Sequence, residues 1–204
     1  MIDDFRKSVL KKVSCIAYHN GPGGGPEPYD SWMERQEVEA GNFAREAKPE
    51  YLSVILDALT GYPDAEFIEY QYTEMDYYLD AVSDILNQWA LIEPEFVLSN
   101  TIACLREHLR TPHRSTILIA MINLNHAYLP RYIDPAMMDF EDYTNDDRIW
   151  LATAIGNSRG IGAADLLTRL LANTPETMTE AYAEVRSYLF GVQQKGERSD
   201  PSQR

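Results

Sequence analysis

The spacing of apolar residues constrains the fold of this chain more than any other feature of its sequence. They recur at intervals of three and four residues, which places them along one side of an α-helix. The clearest such stripe is Met75, Leu79, Val82, Leu86 and Trp89. A strand-like alternation is confined to residues 67–73, a segment too short to establish a sheet. The pattern predicts an all-α fold.

Proline residues mark where several of these helices begin, because a proline in the first turn lacks only an N–H that would have no intrahelical partner. An apolar-periodic run follows each of Pro49, Pro94, Pro112 and Pro175. The stripes and the prolines together predict helices over 2–19, 31–47, 49–60, 74–92, 94–109, 113–129, 146–156, 161–173 and 176–191. We expect one helical domain over 1–192, with a flexible Gly/Pro loop at 20–30 and a disordered tail at 193–204.

The distribution of charge limits the kinds of partner. The net charge is −14, and residues 49–105 contain eleven acids with no Lys, Arg or His. Nucleic acids and anionic membranes are bound through basic side chains, so we expect neither as a partner. A protein with a basic surface suits this charge. No apolar run reaches the roughly 18 residues that span a bilayer, and no signal-peptide pattern occurs, so we expect a cytoplasmic protein.

One acidic cluster lies on the predicted helix 74–92. Asp76, Asp80 and Asp84 follow one another at intervals of four residues and so project from one face. Like charges at this spacing destabilise a helix by about 0.2–0.5 kcal/mol per pair, which favours a role in binding a partner. Tyrosine is enriched at binding hot spots. The candidate surface therefore also includes Glu66, Glu69, Tyr70, Tyr72, Glu74 and Tyr77. The alternative is a solvated acidic face with half of the tyrosines in the core, and the sequence does not show which ones.

A second acidic cluster precedes the helix predicted at 146–156. Asp139, Glu141 and Asp142 extend the candidate binding surface. Asp146 and Asp147 are explained by the start of the following helix, whose dipole favours negative charge. This cluster lacks the Gly and the final Glu of a calcium loop. The aspartates on the predicted helix 74–92 do not form a cation site either, because one helix alone supplies too few oxygen ligands. We therefore expect no metal site.

Signatures of catalysis are missing from the sequence. It contains no phosphate-binding loop, no Gly-x-Ser-x-Gly, no Cys-x-x-Cys and no His-Glu-x-x-His. Cys15 and Cys104 are predicted to be small buried hydrophobic residues. An alternative pairs Cys104 with His108, four residues later on the same helix face, as a reactive thiol. We expect a protein that is not an enzyme and binds no cofactor.

Residues 145–171 resemble a HEAT-like α-helical repeat of the short bacterial type. The resemblance rests on an acidic start followed by Arg148, the small residues Ala152 and Ala154, Gly156, and a Leu-Leu-x-x-Leu-Leu spine at 166–171. It implies an irregular α-solenoid or multi-helix bundle with HEAT-like hairpins, a class that mostly presents binding surfaces. HEAT-like hydroxylases and DNA glycosylases use His-Glu pairs or a basic cleft, which this sequence does not provide.

Small, acidic, all-helical bacterial proteins with a tyrosine-rich anionic face look like immunity proteins, which sequester basic toxins or nucleases. This likeness predicts an inhibitor that binds a basic toxin by charge complementarity. A generic HEAT-like scaffold or adaptor that binds a peptide or a partner subunit is the main alternative. An enzyme with carboxylate-based chemistry is a third hypothesis and predicts a closed cleft with a carboxyl group of raised pKa.

Overall fold

A computed structural model describes residues 4–17, 28–60 and 75–198, with the backbone alone at Tyr29, 75–77 and 195–198. These residues form ten α-helices and one short 3-10 helix, Pro135–Asp139, and the predicted all-α fold is confirmed. The α-helices are α1 (Asp4–Ala17), α2 (Tyr29–Glu46), α3 (Pro49–Thr60), α4 (Met75–Ala90), α5 (Pro94–His108), α6 (His113–Met121), α7 (Leu129–Tyr132), α8 (Asn145–Ser158), α9 (Ala163–Ala172) and α10 (Thr179–Arg198).

The chain clusters into two compact units, Met1–Val97 and Leu98–Arg204. In the first unit, α4 packs against both α1 and α2, and α1 also packs against α3. The predicted core stripe of α4 is confirmed where its side chains are described: Leu79, Val82, Leu86 and Trp89 are all buried. Because α5 begins in one unit and ends in the other, the expected single domain over 1–192 stays a prediction.

In the second unit, α8 packs against α6, α9 and α10. Small residues permit this close packing, since Ala152 and Ala154 are fully buried. Gly156 also serves close packing, because a Cβ atom there would lie 2.4 Å from Cδ1 of Tyr188 on α10. A glycine at this position could also end a helix in the left-handed conformation, but Gly156 lies inside α8, which continues to Ser158. Left-handed backbone instead occurs at Arg159, with a φ of 49°, and at Gly162, with a φ of 94°.

Helix α6 is shorter than the predicted helix 113–129 and ends at Met121. Beyond it, the backbone N–H of Leu124 bonds to the carbonyl of Met121, and that of Asn125 bonds to the carbonyl of Asn123. Asn side chains favour such turns because they compete with helical hydrogen bonds. His126 lies in this turn region, where its Nδ1 accepts a hydrogen bond from the backbone N–H of Tyr128 at 3.2 Å.

The ends of two other helices differ from their predicted positions. Helix α10 continues to Arg198, past the predicted start of the tail at Gln193, and α2 starts at Tyr29, inside the predicted loop. The rest of that loop, residues 20–27, and the last residues of the tail, 199–204, lie outside the described residues. Of the helices in the described part of the chain, none is both long and apolar enough to cross a membrane.

Candidate functional site

The predicted aspartate stripe lies on α4 in the first unit. Asp80 and Asp84 are half-buried there. Oδ2 of Asp84 accepts a hydrogen bond of 3.0 Å from Nε2 of Gln36, a fully buried residue on α2, so Asp84 ties the two helices together. Asp76 and Tyr77 lie in the first turn of α4, where only the backbone is described. The other predicted members of this surface lie outside the described residues: Glu66, Glu69, Tyr70, Tyr72 and Glu74.

Helix α2 adds carboxylates beside this stripe. Nε2 of Gln88 on α4 lies 3.4 Å from Oε1 of Glu37 on α2. Glu34, one turn earlier on the same side of α2, is exposed like Glu37. We define the α2–α4 acidic surface as Glu34, Glu37, Asp80 and Asp84. Sequence patterns did not reveal the α2 residues, because the pairing of two helices that are distant in sequence leaves no local signal.

Exposed apolar side chains border the α2–α4 acidic surface. Val38 follows Glu37 directly and is 62% exposed, and Leu91, one turn after Asn87 at the end of α4, is 63% exposed. Tyr78, by contrast, is only 1% exposed and belongs to the core. Apolar residues surrounded by charged ones are the usual composition of a protein-binding surface.

The first unit also holds most of the negative charge. Residues 1–97 contain nineteen of the 32 acids but only seven of the 18 Lys and Arg residues. Among the described side chains, Arg6 pairs with Asp57 at 2.9 Å and Arg35 pairs with Glu39 at 3.0 Å, both outside the α2–α4 acidic surface. The net charge of the first unit is therefore strongly negative.

The second predicted acidic cluster lies in the other unit and is partly engaged within the protein. Arg169 on α9 and Asn173, the residue that follows this helix, both donate hydrogen bonds to the carboxylate of Asp139. The bond from Arg169 holds the pKa of the Asp139 carboxyl below its ordinary value. Glu141 and Asp142 are exposed, and the backbone carbonyl of Asp142 accepts a bond of 2.7 Å from Arg114. Partner binding by these residues stays a prediction.

Asp147 forms the centre of a buried polar network. Its fully buried carboxylate accepts bonds from Nε of Arg114 at 2.8 Å, Oγ of Ser115 at 2.6 Å and the backbone N–H of Thr144 at 3.0 Å. Thr144 in turn caps α8 by accepting a bond from the Asp147 N–H. Burial opposes ionisation, but these bonds outweigh it and lower the pKa of Asp147. The helix-dipole account of Asp147 was therefore incomplete, because it missed the ion pair with Arg114.

Two further buried side chains extend this network. Arg148 and Tyr143 are each 1% exposed, and the guanidinium of Arg148 lies 5.8 Å from the centre of the Tyr143 ring. Arg148 also donates long bonds of 3.4 Å to Oγ1 of Thr174 and to the carbonyl of Phe140. Burial raises the pKa of the Tyr143 phenol above its ordinary value. These contacts hold the segment before α8 in place.

A cleft of about 550 Å³ lies between α1 and α2 in the first unit. Four residues from each of these two helices line the walls, and both sets have the same spacing of i, i+3, i+4 and i+7. From α1 these are Ser8, Lys11, Lys12 and Cys15, and from α2 they are Glu39, Asn42, Phe43 and Glu46. Ile16 and Tyr51 complete the lining. The spacing is visible in the sequence, but it defines a cleft only once the two helices are known to face each other.

Comparison with known proteins gives no match to this chain, whether to a family model, a curated protein or a solved structure.

Both cysteines are free thiols, and they differ in their surroundings. Cys15 is exposed at the cleft and Cys104 is half-buried on α5, so the prediction that both are buried was wrong. Cys15 lies on the polar side of α1, whereas the apolar stripe with Val9 and Val13 enters the core. Within the described residues, no group of three or more His, Cys, Asp or Glu could hold a metal ion.

Proposed function

We propose that the protein is a protein-binding module whose α2–α4 acidic surface binds a partner with a basic surface. The partner class that best suits such a surface is a basic toxin or nuclease that the protein would sequester as an immunity or inhibitor protein. The observation that carries the proposal is the pair of contacts between α2 and α4. Gln36 with Asp84 and Gln88 with Glu37 place carboxylates from both helices on one surface.

Two properties of this surface support binding. Exposed Val38 offers apolar contact area directly beside Glu37, and apolar contact supplies most of the free energy of association. The negative charge of the first unit would accelerate encounter with a basic partner and make association slower in salt. A cytoplasmic location remains part of the proposal.

The test reverses charge only at exposed side chains that accept no bond from a buried residue. Asp84 is unsuitable because its carboxylate accepts a bond from buried Gln36, so the variant is Glu34→Lys/Glu37→Lys, both exposed positions. The wild type and the variant would be used to capture partners from host lysate. Each captured protein would then be purified and its Kd measured at about 0.1 M and 1 M salt, where the Debye length is about 10 Å and 3 Å.

A control variant, Glu107→Lys/Glu184→Lys, makes the same change in net charge at exposed positions of the second unit. We expect the partner to be basic and to lose about tenfold in affinity with Glu34→Lys/Glu37→Lys and in high salt, but not with the control variant. Val38→Ser should weaken binding without a change in salt dependence. Equal losses of affinity with both double variants would show that the effect depends on net charge alone and would contradict a role for the α2–α4 acidic surface.

The second candidate function is a HEAT-like scaffold or adaptor that binds a peptide or a partner subunit. It is favoured by the packing of the consecutive helices α8 and α9, which are joined by the four residues 159–162. A packed pair of consecutive helices is the unit of helical repeat proteins. This candidate predicts a partner whose affinity withstands both high salt and Glu34→Lys/Glu37→Lys.

A further inference from the structure

A polar pocket of about 430 Å³ lies at the end of α8 in the second unit. Asn157, Ser158 and Arg159 line it, together with Asn125 from the segment that follows α6. The volume falls within the range of about 300–1,000 Å³ that is typical of ligand sites, but most such sites are lined by apolar side chains. All four described lining residues here are polar, so the pocket suits a small ligand that is itself polar.

The open hydrogen-bonding groups of this pocket are mainly donors. Among the described residues that line it, Arg159 alone is charged. Within the part of the chain that the structure describes, the exposed side chains of Arg159 and Asn157 form no hydrogen bond and no ion pair. A guanidinium offers five N–H donors in a planar fork that matches two oxygens of a carboxylate or a phosphate. One positive charge and an excess of donors therefore favour an oxyanion.

The backbone holds Arg159 in a conformation that disfavours any residue with a Cβ atom. Its φ of 49° is left-handed, and no other non-glycine residue in the described part of the chain has a positive φ. Glycine would adopt this conformation without steric cost. The dipole of α8 favours a cation at this end of the helix, but a cation in the last turn with ordinary backbone would serve equally well. Strained residues of this kind cluster at ligand sites, which favours a functional reason for arginine here.

The neighbours of Arg159 are fixed by internal contacts. Ser158 is 3% exposed, and its Oγ donates a bond of 2.6 Å to the carbonyl of Ile155 and accepts one of 3.4 Å from the N–H of Gly160. A Cβ atom at Gly160 would overlap the carbonyl oxygen of Ala127, so glycine permits the two sides of the pocket to meet. The bond from Ser158 also satisfies one carbonyl at the end of α8, whose partial negative charge would otherwise oppose an anion.

We propose that this pocket binds a small polar molecule through a carboxylate or phosphate group, which accepts hydrogen bonds from the guanidinium of Arg159 and the carboxamide of Asn157. The second unit contains thirteen acids and eleven Lys and Arg residues, so its net charge is small. An anion therefore meets little of the repulsion that the first unit would exert. The proposal is independent of the α2–α4 acidic surface, which belongs to the first unit.

NMR titration of the full chain tests this ligand class with three probes: inorganic phosphate, acetate, and acetamide as the neutral isostere of acetate. Each is compared with chloride at the same ionic strength. The reporters are the Nε–H of Arg159 and the backbone N–H of Gly160, and the Nε–H of Arg110, an exposed arginine outside the pocket lining, is the internal control. We expect saturable shifts at both reporters, with a Kd on the order of 1–10 mM because the ion pair is exposed.

Saturation by phosphate or acetate would support the oxyanion class, and the tighter of the two probes would identify the source as a phosphate or a carboxylate. Equal saturation by acetamide would overturn the anionic class. Shifts that chloride reproduces, or that are as large at Arg110 as at Arg159, would overturn the site.

Variants of Arg159 separate binding from backbone strain. Arg159→Gln and Arg159→Gly should both abolish saturable binding, whereas Arg159→Lys should weaken it about fivefold because it keeps the charge without the planar fork. Arg159→Gly should also have a folding equilibrium constant about fivefold higher than that of Arg159→Gln in urea, because only glycine relieves the left-handed backbone. Arg110→Gln removes the same charge elsewhere and should preserve binding. Binding that withstands Arg159→Gln would refute the site, and equal stability of the glycine and glutamine variants would refute the strain at Arg159.

Discussion

Gly156 on α8 is packed so closely against α10 that one added methyl group is expected to destabilise the protein. A Cβ atom built there would lie 2.4 Å from Cδ1, 2.9 Å from Cγ and 3.1 Å from Cβ of Tyr188. Cβ and Cγ lie on the axis about which the ring turns, so rotation of the ring moves Cδ1 but leaves the contacts of 2.9 Å and 3.1 Å in place. Gly156→Ala therefore forces Tyr188 out of its position or moves α8 and α10 apart.

Two opposing effects determine how much Gly156→Ala changes the free energy of unfolding. Alanine is favoured over glycine inside a helix by about 1 kcal/mol. Overpacking a buried site costs about 1–3 kcal/mol, and two contacts under 3.0 Å place Gly156→Ala towards the upper end of that range. We expect a net loss of about 1–2 kcal/mol in the free energy of unfolding. For a chain of this length, that loss lowers Tm by about 2–8 °C.

The assay is urea denaturation followed by circular dichroism, with Gly191→Ala as the control. Gly191 lies on α10, and a Cβ atom there meets nothing within 4 Å, so the same substitution should stabilise the protein by about 0.5–1 kcal/mol. In a Tyr188→Ala background, Gly156→Ala should become stabilising as well, because the two atoms closer than 3.0 Å, Cδ1 and Cγ, are gone. If Gly156→Ala stabilises the protein as much as Gly191→Ala, the contact between α8 and α10 is not as described.

Three further predictions concern carboxylates that accept hydrogen bonds within the protein. Asp147→Ala should lower the free energy of unfolding in urea by about 3–5 kcal/mol because it leaves Arg114 without its carboxylate partner, and a loss below about 1 kcal/mol would contradict this. Because the pKa of Asp147 is lowered in the folded state, its stabilisation is present above the unfolded pKa of about 3.9 and is lost as pH falls through the folded value. The stability gap between wild type and Asp147→Asn, measured by thermal melts, should therefore be constant near neutral pH and narrow only below about pH 4. Asp84→Ala should lower the free energy of unfolding in urea by about 1–3 kcal/mol because the amide of buried Gln36 loses its acceptor. An unchanged free energy of unfolding would contradict the role of Asp84 in joining α2 and α4.

Local sequence information was sufficient for most of the helices. Helix α3 has the predicted bounds, because Pro49 marks its first turn and its apolar residues keep a helical spacing up to Thr60. The prediction failed at α6, where apolar composition continues past Met121 but Asn side chains favour turns. Apolar periodicity carries no information about that competition, so the predicted helix was too long.

The arrangement of the candidate sites could not be predicted, because it depends on contacts between residues that are distant in sequence. Gln36 and Asp84 are 48 positions apart, and Arg114 and Asp147 are 33 apart. Without a known helix pairing, Asp84 and Asp147 were interpreted from their own helices alone. The sequence also predicted α1 and α2 as helices, at 2–19 and 31–47, without showing that residues of the two face each other across a cleft.

The distribution of lysine gives the cleft a particular chemical reactivity. Between Lys48 and Lys195 the chain contains no lysine, so every cation of the helices α3 to α9 is an arginine or a histidine. Four of the five lysines are in the first unit, and two of these line the cleft. Acylation of lysines therefore falls largely on the first unit, and at Lys11 and Lys12 it removes both lysine charges of the cleft lining. The extent of acetylation at Lys11 and Lys12, located by mass spectrometry of proteolytic peptides, thus becomes a measure of how accessible the cleft is.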